Sequence, residues 1–289
     1  MPLSYTRRFR VRYVECDADE FVRDAVYFRY LQETAFDASA AGGYDQARYL
    51  AMRRIWLIRE THLWFSGRLR FGDTAQITSW VDDFQRVRSR RAYALRHAAS
   101  NRVLVQGYSD WAFLDLETGR PALIPEELTA AFFPEGVPER SAVRDRFPAL
   151  VTPSSQGLTV RRQVEWRDLD GAGHVNNAVY LDYLEEATRQ LLARHGWTHA
   201  RMAGAGFGLA PQEHRIEYRL PALPDDELEV TVWLAEIGPG SALRYGTVAR
   251  AGDDGLLAQA LLRLGAADLA HGEPVAFPPD MVVDLAPAA

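Results

Sequence analysis

The chain contains the sequence VRDAVYFRYLQE at residues 22–33 and nearly repeats it as VNNAVYLDYLEE at residues 175–186. Seven of the twelve positions are identical, whereas unrelated sequences would share about one. The two stretches align without a gap when the chain is shifted against itself by 153 positions. An internal duplication is therefore the first feature of this sequence to explain.

The same shift pairs other residues along the chain. The pairs include Asp17 with Asp170, Gly43 with Gly196, Glu60 with Glu213, Asp73 with Asp226 and Trp80 with Trp233. A repeat of this length is the size of a domain, whereas solenoid repeats have about 20–50 residues. We therefore predict an N-terminal domain at 1–135, a proline-containing linker at 136–155 and a C-terminal domain at 156–289.

Each half is predicted to open with a strand and a long helix. Apolar residues at Phe9, Val11 and Tyr13 alternate with arginines, which is the period of a half-buried strand, and Val164 and Trp166 repeat it. The helix that follows is bounded by a capping residue at its start and a glycine at its end. These boundaries are Asp24 and Gly43 in the first copy and Asn177 and Gly196 in the second.

Four strands are predicted after each helix, from runs of β-branched and aromatic residues between turn signals. They lie near 55–67, 73–84, 88–98 and 102–115, and again near 208–220, 226–237, 242–251 and 255–266. One helix then faces an antiparallel sheet in each half. The tail from about 271 is rich in proline and is predicted to be a surface loop.

The composition limits the classes of function. Apolar residues make up 47% and charged residues 25% of the chain, which is typical of globular proteins. A net charge of −6 argues against nucleic acid as a partner. No apolar run reaches the roughly 18–20 residues of a membrane span, and the polar N-terminal sequence does not resemble a secretory signal. We expect a cytoplasmic protein without a membrane partner.

One cysteine, Cys16, excludes an intrachain disulfide framework and a cysteine metal cluster. The histidines show no metal-ligand spacing, and the chain has no glycine-rich phosphate loop. We therefore expect neither a metal nor a cofactor.

A resemblance to the hotdog-fold thioesterases lies in the second copy, WRDLDGAGHVNNAVYLDYLEEA at 166–187. Single-domain bacterial acyl-CoA thioesterases share its loop Asp, its Gly-His-Val-Asn-Asn, its Tyr and its Glu-containing helix. The first copy, YVECDADEFVRDAVYFRYLQETA at 13–35, is similar to the related 4-hydroxybenzoyl-CoA thioesterase type. Two stretches, LQETA at 31–35 and SDWAFLDLETGRPALIP at 109–125, resemble the N-terminal domain of acyl-ACP thioesterases, which are tandem double hotdogs.

This resemblance implies an α+β fold of two tandem hotdog domains, each a long helix wrapped by an antiparallel sheet, forming an intrachain pseudo-dimer. It implies a thioester hydrolase that converts acyl-CoA or acyl-ACP to free acid and thiol. Its partner would be the thioester of coenzyme A or of an acyl carrier protein, and the pseudo-dimers are compatible with assembly into a homo-oligomer.

The chain departs from the plant acyl-ACP enzymes at three positions. Those enzymes carry an Asn two residues after the loop Asp and a Glu-Cys pair in the strand after the second helix. This chain has Ala172, Pro221 and Ala222 at the aligned positions. The papain-like mechanism once suggested for those enzymes therefore cannot be carried over, whereas the Asp-plus-helix chemistry of the acyl-CoA enzymes can.

The candidate catalytic residues follow from the needs of thioester hydrolysis, which are an attacking water or carboxylate and donors for the developing oxyanion. Asp170 precedes the predicted helix cap by seven residues, so the N–H groups of the first helical turn could be those donors. We predict Asp170 as general base or nucleophile, and His174 as a residue that orients the thioester or hydrogen-bonds Asp170. Asn176 and Asn177 would shape the substrate site and cap the helix, although both residue types are also common in turns for conformational reasons alone.

Asp17 occupies the position of Asp170 in the first copy, but its neighbours differ. Phe21 replaces the His, and Arg23-Asp24 replaces the Asn pair. Two interpretations stay open: Asp17 serves a second catalytic site, or its site has decayed into one that binds the acyl chain.

Three more residues are candidates for substrate binding. Glu60 and Glu213 recur on the strand after the helix, where they act as a base, orient water or form surface ion pairs. Arg88 belongs to a basic strand start that either contacts the phosphates of coenzyme A or of a phosphopantetheine arm, or forms a solvated edge. The other members of this basic group are Arg86, Arg90 and Arg91.

Two rival functions remain. A hotdog dehydratase or hydratase would act on the same thioesters, but such enzymes place a His and an acid differently. A protein that only binds acyl thioesters is the second rival, and the presence of both Asp170 and His174 argues against it.

Overall fold

The computed structural model describes residues 2–137, 143–151, 153, 157–252 and 255–286. The chain forms two compact units. The short segment Asp17–Ala25 of the first copy clusters with the second unit, and we call it the exchanged segment. The first unit comprises Met1–Cys16 and Val26–Arg146, and the second comprises Asp17–Ala25 and Phe147–Ala289. The predicted domain boundaries stay a prediction, and part of the predicted linker at 136–155 lies outside the described residues.

The first unit is an antiparallel sheet with helices. Its strands are β1 Ser4–Arg10, β2 Arg54–Phe65, β3 Thr74–Gln85, β4 Arg88–His97 and β5 Val103–Asp115, in the order β1-β3-β4-β5-β2. Its helices are α1 Asp24–Ala41, which begins in the exchanged segment, α2 Gln46–Ala51 and α3 Glu126–Phe132. The ring of Tyr30 on α1 stacks on Phe9 of β1 with centroids 4.4 Å apart, so the long helix packs on the sheet of its own copy.

The second unit repeats this arrangement. Its strands are β6 Leu158–Gln163, β7 Phe207–Tyr218, β8 Glu227–Ile237, β9 Ala242–Arg250 and β10 Leu256–Asp268, in the order β7-β10-β9-β8-β6, with β11 Pro274–Val275 beside β10. Its helices are α4 Val179–Arg194, α5 His199–Gly204 and α6 Pro279–Asp284. Helix α4 approaches the sheet closely because a Cβ at Gly246 would lie 2.6 Å from Leu184 Cδ2.

The duplication extends to strand register and to irregularities. The β3–β4 register shifts between Val81 and Asp83, and the β8–β9 register shifts at the equivalent positions, Leu234 and Glu236. A second bulge precedes Glu60 on β2 and recurs immediately before Glu213 on β7. Since β-bulges re-aim side chains at defined places in a sheet, their repetition shows one fold used twice.

A buried tyrosine–carboxylate pair also occurs in both copies. The Tyr30 hydroxyl donates to Glu15 Oε2 over 2.5 Å, and the Tyr183 hydroxyl donates to Asp168 Oδ2 over 2.6 Å. Burial and the partner carboxylate raise the pKa of both tyrosines, so each phenol stays protonated and fixes its carboxylate against the helix.

Most of the predicted elements are confirmed. The long helices end at Ala41 and Arg194, two residues before the predicted end signals Gly43 and Gly196, whose φ angles of 82° and 81° lie in the left-handed region that terminates helices. The apolar face of the second long helix is buried, with Tyr180 and Leu184 only 3% and 1% exposed. The eight strands after the helices lie within two residues of their predicted starts and ends.

The predicted ends of the opening strands are wrong. Tyr13 and Trp166 lie in short 3₁₀ turns after β1 and β6 and are 78% and 89% exposed. The chain turns there because Glu15 Oε2 accepts the main-chain N–H of Arg12, as Asp168 does for Glu165. A side chain that bonds nearby backbone in this way competes with strand pairing.

The short helices and the packing of the tail were not predicted from the sequence. Helices α2 and α5 begin after Asp45 and Thr198, whose side chains accept main-chain N–H groups of the first turn. The tail is not a surface loop throughout, since Phe277, Met281 and Leu285 are at most 3% exposed. Among the described residues, the helices are too short or too polar to span a membrane.

Candidate active site

The Asp170 loop connects the 3₁₀ turn after β6 to helix α4. The Asp170 N–H donates to the His174 carbonyl over 3.0 Å, and the Gly173 N–H donates back to the Asp170 carbonyl over 3.0 Å. Gly173 has a φ of 79°, which glycine adopts without strain. This closed turn holds the Asp170 side chain at the entrance to the helix.

Both oxygens of the Asp170 carboxylate are hydrogen-bonded. Oδ1 accepts the main-chain N–H of Ala172 over 2.9 Å, and Oδ2 accepts the side-chain amide of Asn176 over 3.2 Å. The side chain is still 24% exposed. The carboxylate is therefore held in place yet accessible to a water molecule or a small ligand.

His174 lies beside Asp170 without a direct hydrogen bond. Its Nδ1 is 3.8 Å from Asp170 Oδ1, which is beyond hydrogen-bond distance, and 3.3 Å from the Val175 carbonyl. If Nδ1 donates to that carbonyl, Nε2 is the atom that can take up or release a proton. Of the two predicted roles for His174, the structure therefore fits orientation of a ligand better than a hydrogen bond to Asp170.

The prediction that Asn177 caps the helix is wrong. Asn176, one residue earlier, shapes the start of the helix instead. Helix α4 begins at Val179 with Ala178 as its N-cap. Asn176 Oδ1 accepts the Ala178 N–H over 3.0 Å, and its carbonyl accepts the Val179 N–H over 2.9 Å. The Ala178 and Val179 N–H groups are therefore already paired, so oxyanion stabilisation by other N–H groups of the first turn stays a prediction.

Asn177 contributes through its backbone. Its carbonyl accepts a hydrogen bond of 2.8 Å from the Tyr218 hydroxyl on β7. The neighbouring Tyr180 hydroxyl accepts the Ala222 N–H over 2.9 Å, and burial raises the pKa of Tyr180 to about 12. These neutral phenols hold the helix start against the sheet.

The Asp17 loop repeats the backbone of the Asp170 loop. The Asp17 N–H donates to the Phe21 carbonyl over 2.7 Å, and Glu20 takes the left-handed position of Gly173 with a φ of 66°. The carboxylate is held differently, because Asp17 Oδ1 accepts main-chain N–H groups of both Asp19 and Phe21. The two loops therefore share the same backbone conformation, but their aspartate side chains have different hydrogen-bond partners.

Two histidines of the second copy bind this segment into the second unit. His199 Nε2 lies 2.9 Å from Asp19 Oδ1, and His214 Nε2 lies 2.8 Å from Asp24 Oδ2. The Asp19 and His214 side chains are 3% and 4% exposed. These contacts explain why residues 17–25 cluster with the second unit.

Glu185 on α4 faces the same segment. Burial and the Asp24 carboxylate raise the pKa of Glu185 to about 7. Asp17 and Asp182 add to the increase, and Arg189, whose Nη2 lies 3.5 Å from Glu185 Oε1, opposes it. A carboxyl with such a pKa is half protonated at neutral pH, which is a frequent property of acid–base groups in active sites.

Sequence reasoning did not select Glu185 or His214. Glu185 lies on the polar side of an amphipathic helix, where it looks like a solvated residue. The signal available was a difference between copies, since the 153-residue shift places Gln32 opposite Glu185 and Thr61 opposite His214. Titratable side chains that occur in one copy alone can mark a site specific to that copy.

The two repeated glutamates lie on strands β2 and β7. Glu213 Oε2 is 3.9 Å from Nε of Arg263 on β10, which favours the ion-pair interpretation of this residue. Glu60 is 9% exposed and lies opposite Asp110 in the β2–β5 register. Substrate binding by either glutamate stays a prediction.

The basic strand start divides into exposed and buried arginines. Arg86 and Arg88 are exposed, so phosphate binding by Arg88 stays a prediction. Arg90 and Arg91 are only 6% and 7% exposed, which contradicts both a solvated edge and an accessible phosphate site for these two. Arg90 instead makes a bidentate ion pair with Asp110, in which Nε donates to Oδ1 over 2.8 Å and Nη2 donates to Oδ2 over 2.7 Å.

No metal ligand set occurs among the described residues, where no group of three or more His, Cys, Asp or Glu side chains could hold an ion. Cys16, next to Asp17, is half-buried, with Sγ 3.9 Å from the Arg12 carbonyl.

Each of the two copies matches a known protein family. Residues 2–132 match the acyl-ACP thioesterase N-terminal domain, and residues 164–285 match the thioesterase-like superfamily. The 12:0-ACP thioesterase from Umbellularia californica has a similar structure, with a TM-score of 0.73 at 18% identity, covering 91% of this chain and 94% of that one. The chain is a tandem hotdog protein related to the acyl-ACP thioesterases.

Other relatives agree with this family. An acyl-ACP thioesterase from Bacteroides thetaiotaomicron superposes with a TM-score of 0.71 at 15% identity, covering 90% of this chain and 97% of that one. The chloroplastic acyl-[acyl-carrier-protein] hydrolase FATB2 of Cuphea viscosissima is 25% identical over 195 residues, which cover 64% of this chain and 47% of the relative. This tandem hotdog chain thus spans about half the length of the curated relatives it matches, and its predicted α+β double-hotdog class is confirmed.

Proposed function

We propose that this tandem hotdog protein is a thioesterase that hydrolyses acyl thioesters of an acyl carrier protein to free acid and thiol. The observation that carries this proposal is the Asp170 carboxylate, which Ala172 and Asn176 hold in an accessible position beside His174. Relatives named as acyl-ACP hydrolases support the substrate class. Acyl-CoA is the second substrate, since it has the same thioester group on a smaller carrier.

Asp170 acts on the attacking water. The carboxylate accepts a proton from water, the water oxygen bonds to the thioester carbonyl carbon, and the carbon–sulfur bond breaks as the tetrahedral intermediate collapses. The proton then passes to the departing thiolate, so that one acid and one thiol leave for each water consumed. When His174 is protonated, its Nδ1–H donates to the Val175 carbonyl and its Nε2–H can donate to the thioester carbonyl oxygen or to the departing sulfur.

Direct attack by Asp170 on the carbonyl is the alternative for the same residue. Single-turnover hydrolysis in water enriched in ¹⁸O separates the two mechanisms. A general base directs ¹⁸O into the acid in the first turnover. A nucleophilic Asp170 displaces the thiolate to form a mixed anhydride, and attack of water on the Asp170 carboxyl carbon then puts ¹⁸O on Asp170 and releases an unlabelled acid.

The function is tested with the purified chain and a panel of acyl-ACP and acyl-CoA substrates of matched acyl length. We expect stoichiometric release of free thiol and free fatty acid, with a higher specificity constant for acyl-ACP. A dehydratase or hydratase would instead change the acyl chain and leave the thioester intact. Saturable binding without product would identify a binding protein, and either result would refute the proposal.

A further inference from the structure

The loop that presents Asp170 is a small hairpin of residues 168–176. The Asn176 N–H donates to the Asp168 carbonyl over 2.9 Å, and the Asp170 N–H donates to the His174 carbonyl over 3.0 Å. The backbone between these two hydrogen bonds forms an antiparallel bridge. The base of the hairpin is therefore the pair Asp168 and Asn176, and a displacement of this base also displaces Asp170.

The Asp168 side chain anchors the base of the hairpin to helix α4. The residue is only 6% exposed. Its Oδ2 accepts the Tyr183 hydroxyl over 2.6 Å and the Glu165 N–H over 2.9 Å. The Tyr183 ring is held as well, because Cζ of Arg162 lies 3.9 Å from the ring centroid. A buried carboxylate is costly to leave without its donors, so this anchor fixes where the hairpin begins.

Asn176 connects the anchor to the Asp170 carboxylate. Its main-chain N–H is bonded to the Asp168 carbonyl, and its side-chain amide donates to Asp170 Oδ2 over 3.2 Å. A series of hydrogen bonds therefore leads from Tyr183 on the helix to the Asp170 carboxylate. Because 3.2 Å is at the long end of the range for N–H···O hydrogen bonds, a small movement of the hairpin base is enough to break the last of them.

The first copy repeats the anchor but has a different residue at the connecting position. The Tyr30 hydroxyl donates to Glu15 Oε2 over 2.5 Å. The 153-residue shift places Arg23 at the position of Asn176. Asp17 Oδ1 accepts main-chain N–H groups of its own loop. The fold thus supplies a tyrosine–carboxylate anchor twice, and the amide that joins it to the loop aspartate belongs to the second copy.

We propose that Tyr183 and Asp168 are positioning residues for thioester hydrolysis, which act through Asn176 to hold the Asp170 carboxylate in its reactive position. The proposal rests on the thioesterase function proposed above. Tyr183 is 2% exposed and Asp168 is 6% exposed, so neither is open to a substrate. Their contribution is to geometry, and a reacting group displaced by about 1 Å can lose about 10² in rate.

Tyr183→Phe tests the anchor, and Tyr30→Phe is its matched control. Each substitution removes one buried hydroxyl from a carboxylate and keeps the ring, so thermal melts should show similar losses of stability. We expect Y183F to lower kcat for one acyl-ACP about fivefold, with KM within about twofold of the wild-type value. Y30F should leave kcat within about twofold of wild type, because it changes no contact of Asp170. The assays use a temperature at which every variant is folded.

A double-variant cycle tests whether the effect of Tyr183 passes through Asn176. If it does, Y183F has nothing further to disturb once the amide is gone. N176A and Y183F/N176A should then have the same kcat, about tenfold below wild type. Independent effects would instead multiply to about fiftyfold. D170N and Y183F/D170N should also be equal, because the anchor acts on the Asp170 carboxylate.

The outcomes separate the two proposals. No thiol release by the wild type refutes the thioesterase function and the positioning role with it. With an active wild type, an unchanged kcat in Y183F, an equal loss in Y30F or multiplying losses in the cycle refutes the positioning role alone. If Y183F does not fold, D168N replaces it in the same comparisons, with E15Q as the matched control.

Discussion

The Asp17 and Asp170 loops differ in chemistry although their backbones are the same. Both close through a hydrogen bond from the aspartate N–H to the carbonyl four residues later, and both have a left-handed residue at the fourth position. Asp170 is accompanied by a histidine and a neutral amide. The Asp17 loop is accompanied by additional carboxylates and a buried histidine.

This contrast shows which properties belong to the fold and which to individual side chains. The duplicated fold sets the turn, the helix start and the bulges, so an aspartate is presented in the same way twice. Near the Asp17 loop, burial and Asp24, a residue distant in sequence, raise the pKa of Glu185. Duplication can therefore keep two loops and still give them different acid–base chemistry.

The largest expected effect comes from removing the base in one loop. Asp170→Asn keeps the shape of the side chain but cannot accept a proton from water, and we expect turnover of acyl-ACP to fall about 10²–10⁴-fold. Asp17→Asn should cost less, because His174 and Asn176 accompany Asp170 only. Steady-state kinetics with thermal melts of both variants check this. A larger loss in a folded Asp17→Asn would reverse the assignment of the two loops.

The next effect concerns stability and the elevated pKa of Glu185. The folded protein holds a proton on Glu185 up to about pH 7, whereas the unfolded chain releases it near its ordinary value of 4.5. This contribution to the free energy of unfolding is therefore present at low pH and is lost as pH rises through 7. Glu185→Gln should gain stability relative to wild type between pH 5 and 8, on the order of 2 kcal/mol.

Urea unfolding at several pH values measures this difference, with Glu186→Gln as the control. The control and the wild type should give parallel curves of unfolding free energy against pH. Parallel curves for Glu185→Gln as well would show that Glu185 titrates normally and that the Asp17 environment is not unusual.

A smaller effect is expected at Asn176, which contacts both Asp170 and the start of α4. Asn176→Ala removes the hydrogen bond from the side-chain amide to the Asp170 carboxylate and also removes the acceptor for the Ala178 N–H. We therefore expect the free energy of unfolding to fall by about 1 kcal/mol. Turnover should fall about tenfold as Asp170 loses its fixed position. Asn177→Ala is the control, because Asn177 acts through its carbonyl. Equal losses in both variants would contradict the role of the Asn176 side chain.

The smallest expected effect is one of substrate preference. Since LQETA and the 109–125 stretch resemble the acyl-ACP enzymes, we expect aliphatic acyl thioesters to be hydrolysed several-fold faster than aromatic ones, a difference of about 1 kcal/mol in transition-state binding. Specificity constants for C6–C16 acyl and benzoyl thioesters measure it. Faster hydrolysis of the benzoyl substrate would place the protein with the aromatic acyl-CoA enzymes instead.

Local patterns predicted the parts of the fold that depend on neighbouring residues. The helix from Val179 is visible in its apolar spacing, and its end is visible at Gly196, where a left-handed residue is needed. The turn after Arg10 was missed because one side-chain bond, from the Arg12 N–H to Glu15, outweighs an alternating pattern. Local spacing does not encode such competition.

The candidate site was predictable to the same extent. Asp170, His174 and Asn176 are close in sequence, and the structure brings them together. The Asp24–His214 pair joins residues 190 positions apart, so no local pattern could reveal it. The difference between the two copies at these positions was the available signal, and it did not lead to the prediction of His214.

Chemical rescue tests the central claim most directly. Asp170→Ala removes the carboxylate and leaves space at a side chain that is 24% exposed, where formate can enter. If Asp170 is the base or nucleophile, formate should restore thiol release from acyl-ACP at least about tenfold in Asp170→Ala, and it should have no such effect on Asp17→Ala or the wild type. Absence of rescue in a folded Asp170→Ala, or rescue in Asp17→Ala instead, would contradict this account.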